Sequence, residues 1–304
     1  MAGSADRRWL LGAFVVVVVF MIAEVIAALF AHSLALITDA GHMSTDAAAL
    51  LVAVIASKIA QRPAKGAYTY GFARVDALSG QANGITLLLL ALWFTVEGVR
   101  RLVHPAGVHG GVVTVVALIG AAVNVLAVLL AGRADRSSLN VHGVLAHLIT
   151  DIWAFAATFV AGVIILASGW ARADALASLV VAVLMAWTGY GLVRSAGRVF
   201  LEGAPRGVDP DALGAELAAV DGVAEVHDLH VWQIGPGAPA LSAHLLVRPS
   251  HDCHEVADRI RTVLHERYGI GHVTLQTDHV DTSAHDAQNC IDAHGTIHAA
   301  PTPR

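Results

Sequence analysis

Apolar residues along this chain gather into runs of membrane-spanning length, not into the short alternations of a soluble fold. A helix needs about 20 mostly apolar residues to cross a bilayer. Six stretches meet that length: Trp9–Ala31, Leu34–Ala56, Asp76–Val99, Gly110–Gly132, Val141–Ser168 and Ala175–Val193. The first is followed by more apolar sequence and has no small-residue cleavage site, so it reads as a retained span and not as a cleaved signal. After Arg194 the pattern changes to mixed polar and apolar. Asp209-Pro210 reads as a helix start, with helical spacing over Pro210–Ala219. Val223–Ile234 and Ala240–Val247 read as strands joined by the turn Gly235-Pro236-Gly237, able to pair as a hairpin. His251–Tyr268 has helical spacing and His272–Thr277 reads as a third strand. The expected fold is therefore an α-helical membrane protein with six transmembrane helices, carrying a small α/β domain of order αββαβ. The expected divisions are an N-terminus at 1–8, a transmembrane domain at 9–200, the αββαβ domain at 201–281 and a disordered, His-containing tail at 282–304.

Composition sharpens this picture. The chain has 304 residues, 56% of them hydrophobic and 14% charged, and a mean hydropathy of +0.64. That surplus exceeds what one soluble core takes up and excludes disorder for most of the chain. Two cysteines, Cys253 and Cys290, exclude a disulfide scaffold. The net charge of −5 argues against a nucleic-acid partner. Basic residues are unevenly placed. Arg7, Arg8, Lys58, Arg62, Lys65, Arg74, Arg133, Arg136, Arg194 and Arg198 lie on the side of the termini, against Arg100, Arg101 and Arg172 on the other. The positive-inside rule then puts both termini and the α/β domain in the cytoplasm.

Candidate chemistry lies where charge is costly, at about 2.5–3.5 kcal/mol for an ionised group at the bilayer centre. The second span carries Asp39, His42 and Asp46; the fifth carries His142, His147 and Asp151. The spacing H-x-x-x-D occurs in both, as His42/Asp46 and His147/Asp151. Residues four apart share a helix face, ~6 Å apart along the axis. Two such helices side by side offer two imidazoles and two carboxylates to one point, a set that suits tetrahedral zinc better than calcium or magnesium. Hydrogen-bonded glue between helices is the alternative for any single intramembrane histidine. Asp39, one turn before His42, is expected to support the ligands from behind or to line the way in. Glu24 and Asn124 read as packing or hydration groups, and His142 as an interfacial residue. In the α/β part, His227, His244 and Asp278 are placed to converge on a second zinc, with His230, Cys253 and His254 nearby. A surface merely enriched in histidine is the competing reading. The tail adds His279, His285, Cys290, His294 and His298, a loose set without a defined site. No G-x-x-x-x-G-K-[ST] loop is present, so an ATP-driven pump is not expected unless a partner chain supplies the ATPase, and H-E-x-x-H is absent too.

These residues resemble the cation diffusion facilitator family of zinc-exporting proton antiporters. The likeness rests on Ser33–Asp46, Tyr70-Gly-Phe-Ala-Arg74, His147-x-x-x-Asp151, Leu201-Glu-Gly203, His227-Asp-Leu-His-Val-Trp232 and His272-Val-Thr-Leu-Gln276, in that order. It implies a transport site at His42, Asp46, His147 and Asp151, zinc as cargo with cadmium also accepted, and protons as the exchanged ion. It implies a homodimer, and a cytoplasmic domain of metallochaperone-like fold whose ligands fall on His227, His244 and Asp278, with His254 beside them. Gln276 stands where some relatives carry His, which leaves the completeness of a regulatory zinc cluster open. Asp76 replaces a common Glu, and the Arg133–Ser138 loop lacks the His-rich insert of some relatives. No cofactor is expected beyond zinc as substrate and a regulatory zinc. The partners expected are Zn2+ or Cd2+, H+, membrane lipid and a second copy of the chain, with no nucleic acid. The family, and a composition of two lysines against 17 arginines, point to a bacterial inner membrane. The expected function is secondary active export of zinc by alternating access, and the chain is not expected to be an enzyme. A metal-gated channel and a membrane zinc sensor are the alternatives.

Overall fold

The computed structural model describes the backbone of residues 4–131, 139–235, 237–280 and 295–300, and side chains throughout these except at 4–14, 46–47, 49–51, 53–54, 57, 131 and 139–150. Six long helices come first: α1 (Ser4–Ala31), α2 (Leu34–Ala60), α3 (Arg74–Val103), α4 (Gly110–Ala131), α5 (Leu139–Ser168) and α6 (Arg172–Phe200). Each matches one of the six apolar runs, and most extend past it. Backbone hydrogen bonding continues into the polar interface, where apolar side chains are no longer needed. Among the described residues, four helical stretches are long and apolar enough to cross a membrane: Arg74–Val103, Gly110–Leu130, Asp151–Ser168 and Arg172–Phe200.

The chain divides into two compact units, Met1–Val52 with Ala82–Val193, and Ala53–Gln81 with Arg194–Arg304. In the first, α1 turns outward a stripe of Val15, Val19, Ile22, Ile26, Leu29 and Phe30, all exposed, as a lipid-facing surface requires. Its other side enters a core of Phe20, Met43, Ala117 and Phe155, drawn from α1, α2, α4 and α5. The Phe20 and Phe155 rings meet edge to face, with centroids 5.7 Å apart. Gly120 makes this possible: a Cβ there would overlap the Phe155 ring. Small residues at such crossings replace the hydrophobic driving force that lipid removes.

The second unit holds a four-stranded sheet. After α7 (Pro210–Ala218), β1 (Val223–Gly235) and β2 (Ala238–Val247) form an antiparallel hairpin, and α8 (Cys253–Tyr268) leads to β3 (His272–His279), which pairs parallel with β2. Asp209 caps α7 as expected, accepting from Asp211 N. The α8 helix begins two residues later than its spacing suggested, because Asp252 caps it and accepts from His254 N at 2.8 Å and Glu255 N at 3.1 Å. These two backbone donors hold the Asp252 carboxyl below the usual range. Leu213 and Leu217 of α7 and Val256, Ile260 and Leu264 of α8 pack with Val226, Leu241 and Leu245 of the sheet.

One expectation is corrected. The tail at 282–304 reads as disordered, yet β4 (His298–Ala299) pairs antiparallel with β1, giving the sheet order β3-β2-β1-β4. The free edge of β1 supplies the unpaired backbone groups. The His298 ring fills a notch in α7 at Gly214, where any Cβ would collide with it. Residues 281–294 and 301–304 lie outside the described residues, and with them His285, Cys290 and His294.

Candidate metal centre

The α2 helix is fixed at its start before it presents any ligand. Ser33 Oγ donates to Asp174 of α6, and the backbone N–H groups of Leu34 and Ala35 donate to the same carboxylate at 2.6 and 3.3 Å. The first-turn donors of a helix otherwise lack partners, and a carboxylate there also suits the helix dipole. One turn on, Thr38 Oγ1 and Ser178 Oγ lie 2.7 Å apart, again between α2 and α6. One further turn brings His42 to the bundle interior.

His42 Nδ1 faces Asp151 Oδ1 of α5 at 3.9 Å, with side-chain exposures of 5% and 6%. The structure thus brings together one histidine and one aspartate from the two H-x-x-x-D motifs. Asp46 lies one turn further along α2, and His147 one turn before Asp151 on α5; the side chains of both lie outside the described residues. Asp39, 1% exposed, precedes His42 on the same helix. A 3.9 Å nitrogen–oxygen separation is longer than a hydrogen bond, and it leaves room for a metal at ordinary zinc–ligand distances of about 2.0–2.2 Å. Glu24 and Asn124 are fully buried, and their side-chain oxygen and nitrogen atoms have no hydrogen-bond partner among the described residues. From sequence, both read as packing or hydration groups.

A second cluster lies in the sheet. Register pairs His227 with His244 across the β1–β2 hairpin, with ring centroids 5.0 Å apart. A bulge follows at once: four residues of β1, His227 to His230, lie opposite three of β2, His244 to Ser242. Asp228 absorbs the extra residue at φ 47° and joins the two histidines, with one ligand atom from each of the three lying within 4.8 Å of the others. Bulges re-aim side chains in this way, and a positive φ on aspartate carries strain. Asp278 Oδ2 lies 3.5 Å from His244 Nε2 and accepts from Gln276 Nε2 at 3.2 Å. His227 Nδ1 also meets Glu225 Oε1 at 3.0 Å. His254 is exposed in the first turn of α8, and the group of three does not include it. Asp228 was missed from sequence because an alternating strand sends the neighbour of a histidine to the opposite face; a break in alternation within His-Asp-Leu-His is the one signal that pointed there.

Comparison with known proteins settles the family. The description "Cation efflux transmembrane domain" matches residues 10–201, and "Cation efflux protein, cytoplasmic domain" matches residues 205–280. The chain belongs to the cation efflux family. This is the cation diffusion facilitator likeness that the motifs carry, and it makes the protein a multi-pass membrane transporter and not an enzyme. Among its relatives, the "Cadmium, cobalt and zinc/H(+)-K(+) antiporter" of Bacillus velezensis is 34% identical over 294 residues, covering 95% of this chain and 93% of the relative. The "Zinc transporter ZitB" of Escherichia coli strain K12 is 34% identical over 276 residues, covering 90% and 88%. The "Cation efflux system protein CzcD" of an Alcaligenes strain is 31% identical over 278 residues, covering 90% and 87%.

Proposed function

We propose that the protein exports zinc, and also cadmium, from the cytoplasm in exchange for an inward flow of protons. The observation that carries this reading is the buried approach of His42 to Asp151 between two membrane helices, each carrying the same His-Asp spacing. Neutral His42 and His147 with ionised Asp46 and Asp151 would form the tetrahedral cargo site. Proton binding to the same ligands lowers metal affinity. Acidity on the outer side then favours release. Alternating access would expose the site to each side in turn. The relatives named as zinc transporters and as a cadmium, cobalt and zinc antiporter support the cargo and the counterflow.

The same reading places both termini in the cytoplasm of a bacterial inner membrane and makes the transporter a homodimer. His227, Asp228, His244 and Asp278 supply two imidazoles and two carboxylates, a donor set that fits a regulatory zinc. Such an ion would bias transport by binding one conformation better than the other.

Asp46→Ala and Asp151→Ala test the site. Each is expected to abolish zinc flux in reconstituted vesicles while the purified protein keeps its helical circular dichroism and its size-exclusion profile. Normal transport by either variant would remove that residue from the site.

A further inference from the structure

The connections at one end of the bundle carry histidines that the cargo site does not use. His32 forms the turn between α1 and α2, and His109 immediately precedes α4. The backbone ties these two turns together, since His109 N donates to the Ala31 carbonyl at 3.2 Å. Arg101 Nη1 donates to the His32 carbonyl at 2.9 Å and holds the first turn as well. His32 closes α1 at φ 54°, a left-handed conformation that glycine adopts freely and that strains a larger residue. The two imidazole rings thereby stand 6.5 Å apart between centroids, inclined at 36°. Both residues are exposed, and among the described residues neither ring has a hydrogen bond or an ion pair.

Spacing and donor type indicate what this pair can hold. Zinc bonds imidazole nitrogen at about 2.0–2.1 Å, which puts two rings on one ion with their centroids about 5–6 Å apart. Rotation about the side-chain bonds of exposed residues closes the remaining gap. The nearby acids are already engaged: Glu97 pairs with Arg100 and Arg101, and Asp174 receives the start of α2. The pair therefore offers nitrogen alone, a donor that suits zinc, copper and nickel and not the hard cations. His109 also lines an open cavity of about 520 Å³ with Gly110, Gly111, Leu166 and Gly169, which gives water room to complete the coordination. Leu34, beside the turn, precedes His42 by eight residues, ~12 Å along the helix axis. We propose that His32 and His109 form an outer metal site, a two-imidazole station completed by water, which takes zinc as it leaves the cargo site. This rests on the export reading above, in which the end of the bundle carrying the α1–α2 turn faces outward. Two protein ligands hold the ion more loosely than four, as a point of release requires.

The test labels histidines with diethyl pyrocarbonate, which reacts with a free imidazole and not with a metal-bound one, and reads each residue by mass spectrometry. It uses full-length Asp151→Ala protein in sealed vesicles of known orientation, so that zinc stays on the side to which it is added. With zinc outside, labelling of His32 and His109 is expected to fall together, about threefold when free zinc is twice the dissociation constant. His109→Gln in the same background should leave His32 labelled equally with and without zinc. His32→Asn, whose side chain tolerates the left-handed turn, should do the same for His109 and stands in if His109→Gln does not fold. Labelling that zinc leaves unchanged from either side overturns the proposal and leaves the export reading standing. Protection of His32 that survives His109→Gln also overturns it, since one imidazole would then suffice. Protection only by zinc on the side of the α/β domain overturns the outward placement, and with it the orientation that the export reading needs.

Discussion

Asp174 shows what one residue contributes to this bundle. Its carboxylate receives Ser33 Oγ and the Leu34 and Ala35 N–H groups, and Arg101 Nη1 stands 4.0 Å away. Four groups from two other parts of the chain thus meet on one buried acid, and the helix carrying His42 starts from that point. Asp174→Asn keeps the shape, removes the charge and turns one acceptor into a donor facing donors. An expected cost of about 1–3 kcal/mol follows from a buried group left mispaired. It should appear as a lower unfolding temperature in detergent and as slower zinc flux; an unchanged unfolding temperature would show that the α2 start is held by other contacts. This role was not legible in the sequence. An aspartate at the head of the sixth span looks like an ordinary first-turn acid, and its partners lie 140 positions away. His42 and Asp151 were legible for the opposite reason: a repeated four-residue spacing inside apolar runs is a local signal, and ionisable groups there need a purpose.

At the scale of elements, the length of the apolar runs revealed the six long helices and periodicity the αββαβ order, because a bilayer sets the length of a span and a half-buried sheet imposes alternation. It did not reveal β4, two residues in an Ala-, His- and Thr-rich tail, because a strand that short has no period. What fixes it is tertiary: backbone pairing with Glu225 and Val226, and a glycine notch under His298. Asp211 Oδ1 lies 3.9 Å from His298 Nε2 and adds a charge beside the docked ring. Gly214→Leu fills the notch. The tail strand should then detach, and amide hydrogen exchange along the outer edge of β1 should speed up, with the α8 side of the sheet unaffected. Unchanged protection along β1 would mean that β4 docks without the notch. The bulge at Asp228 belongs to the same scale, since it brings beside His227 and His244 a carboxylate that alternation alone assigns to the far face.

For the whole molecule, the deciding property is whether metal and a counter-ion move in opposite directions through one intramembrane site. A channel would pass zinc without regard to the pH gradient, and a sensor would bind it without passing it. The direct measurement is zinc entry into vesicles containing a pH-sensitive dye, with wild type compared with Asp151→Ala under an imposed pH gradient. Zinc movement with simultaneous opposite proton movement is expected in wild type, and neither in the variant. Zinc movement that ignores the pH gradient, or that survives in Asp151→Ala, would contradict exchange through this site.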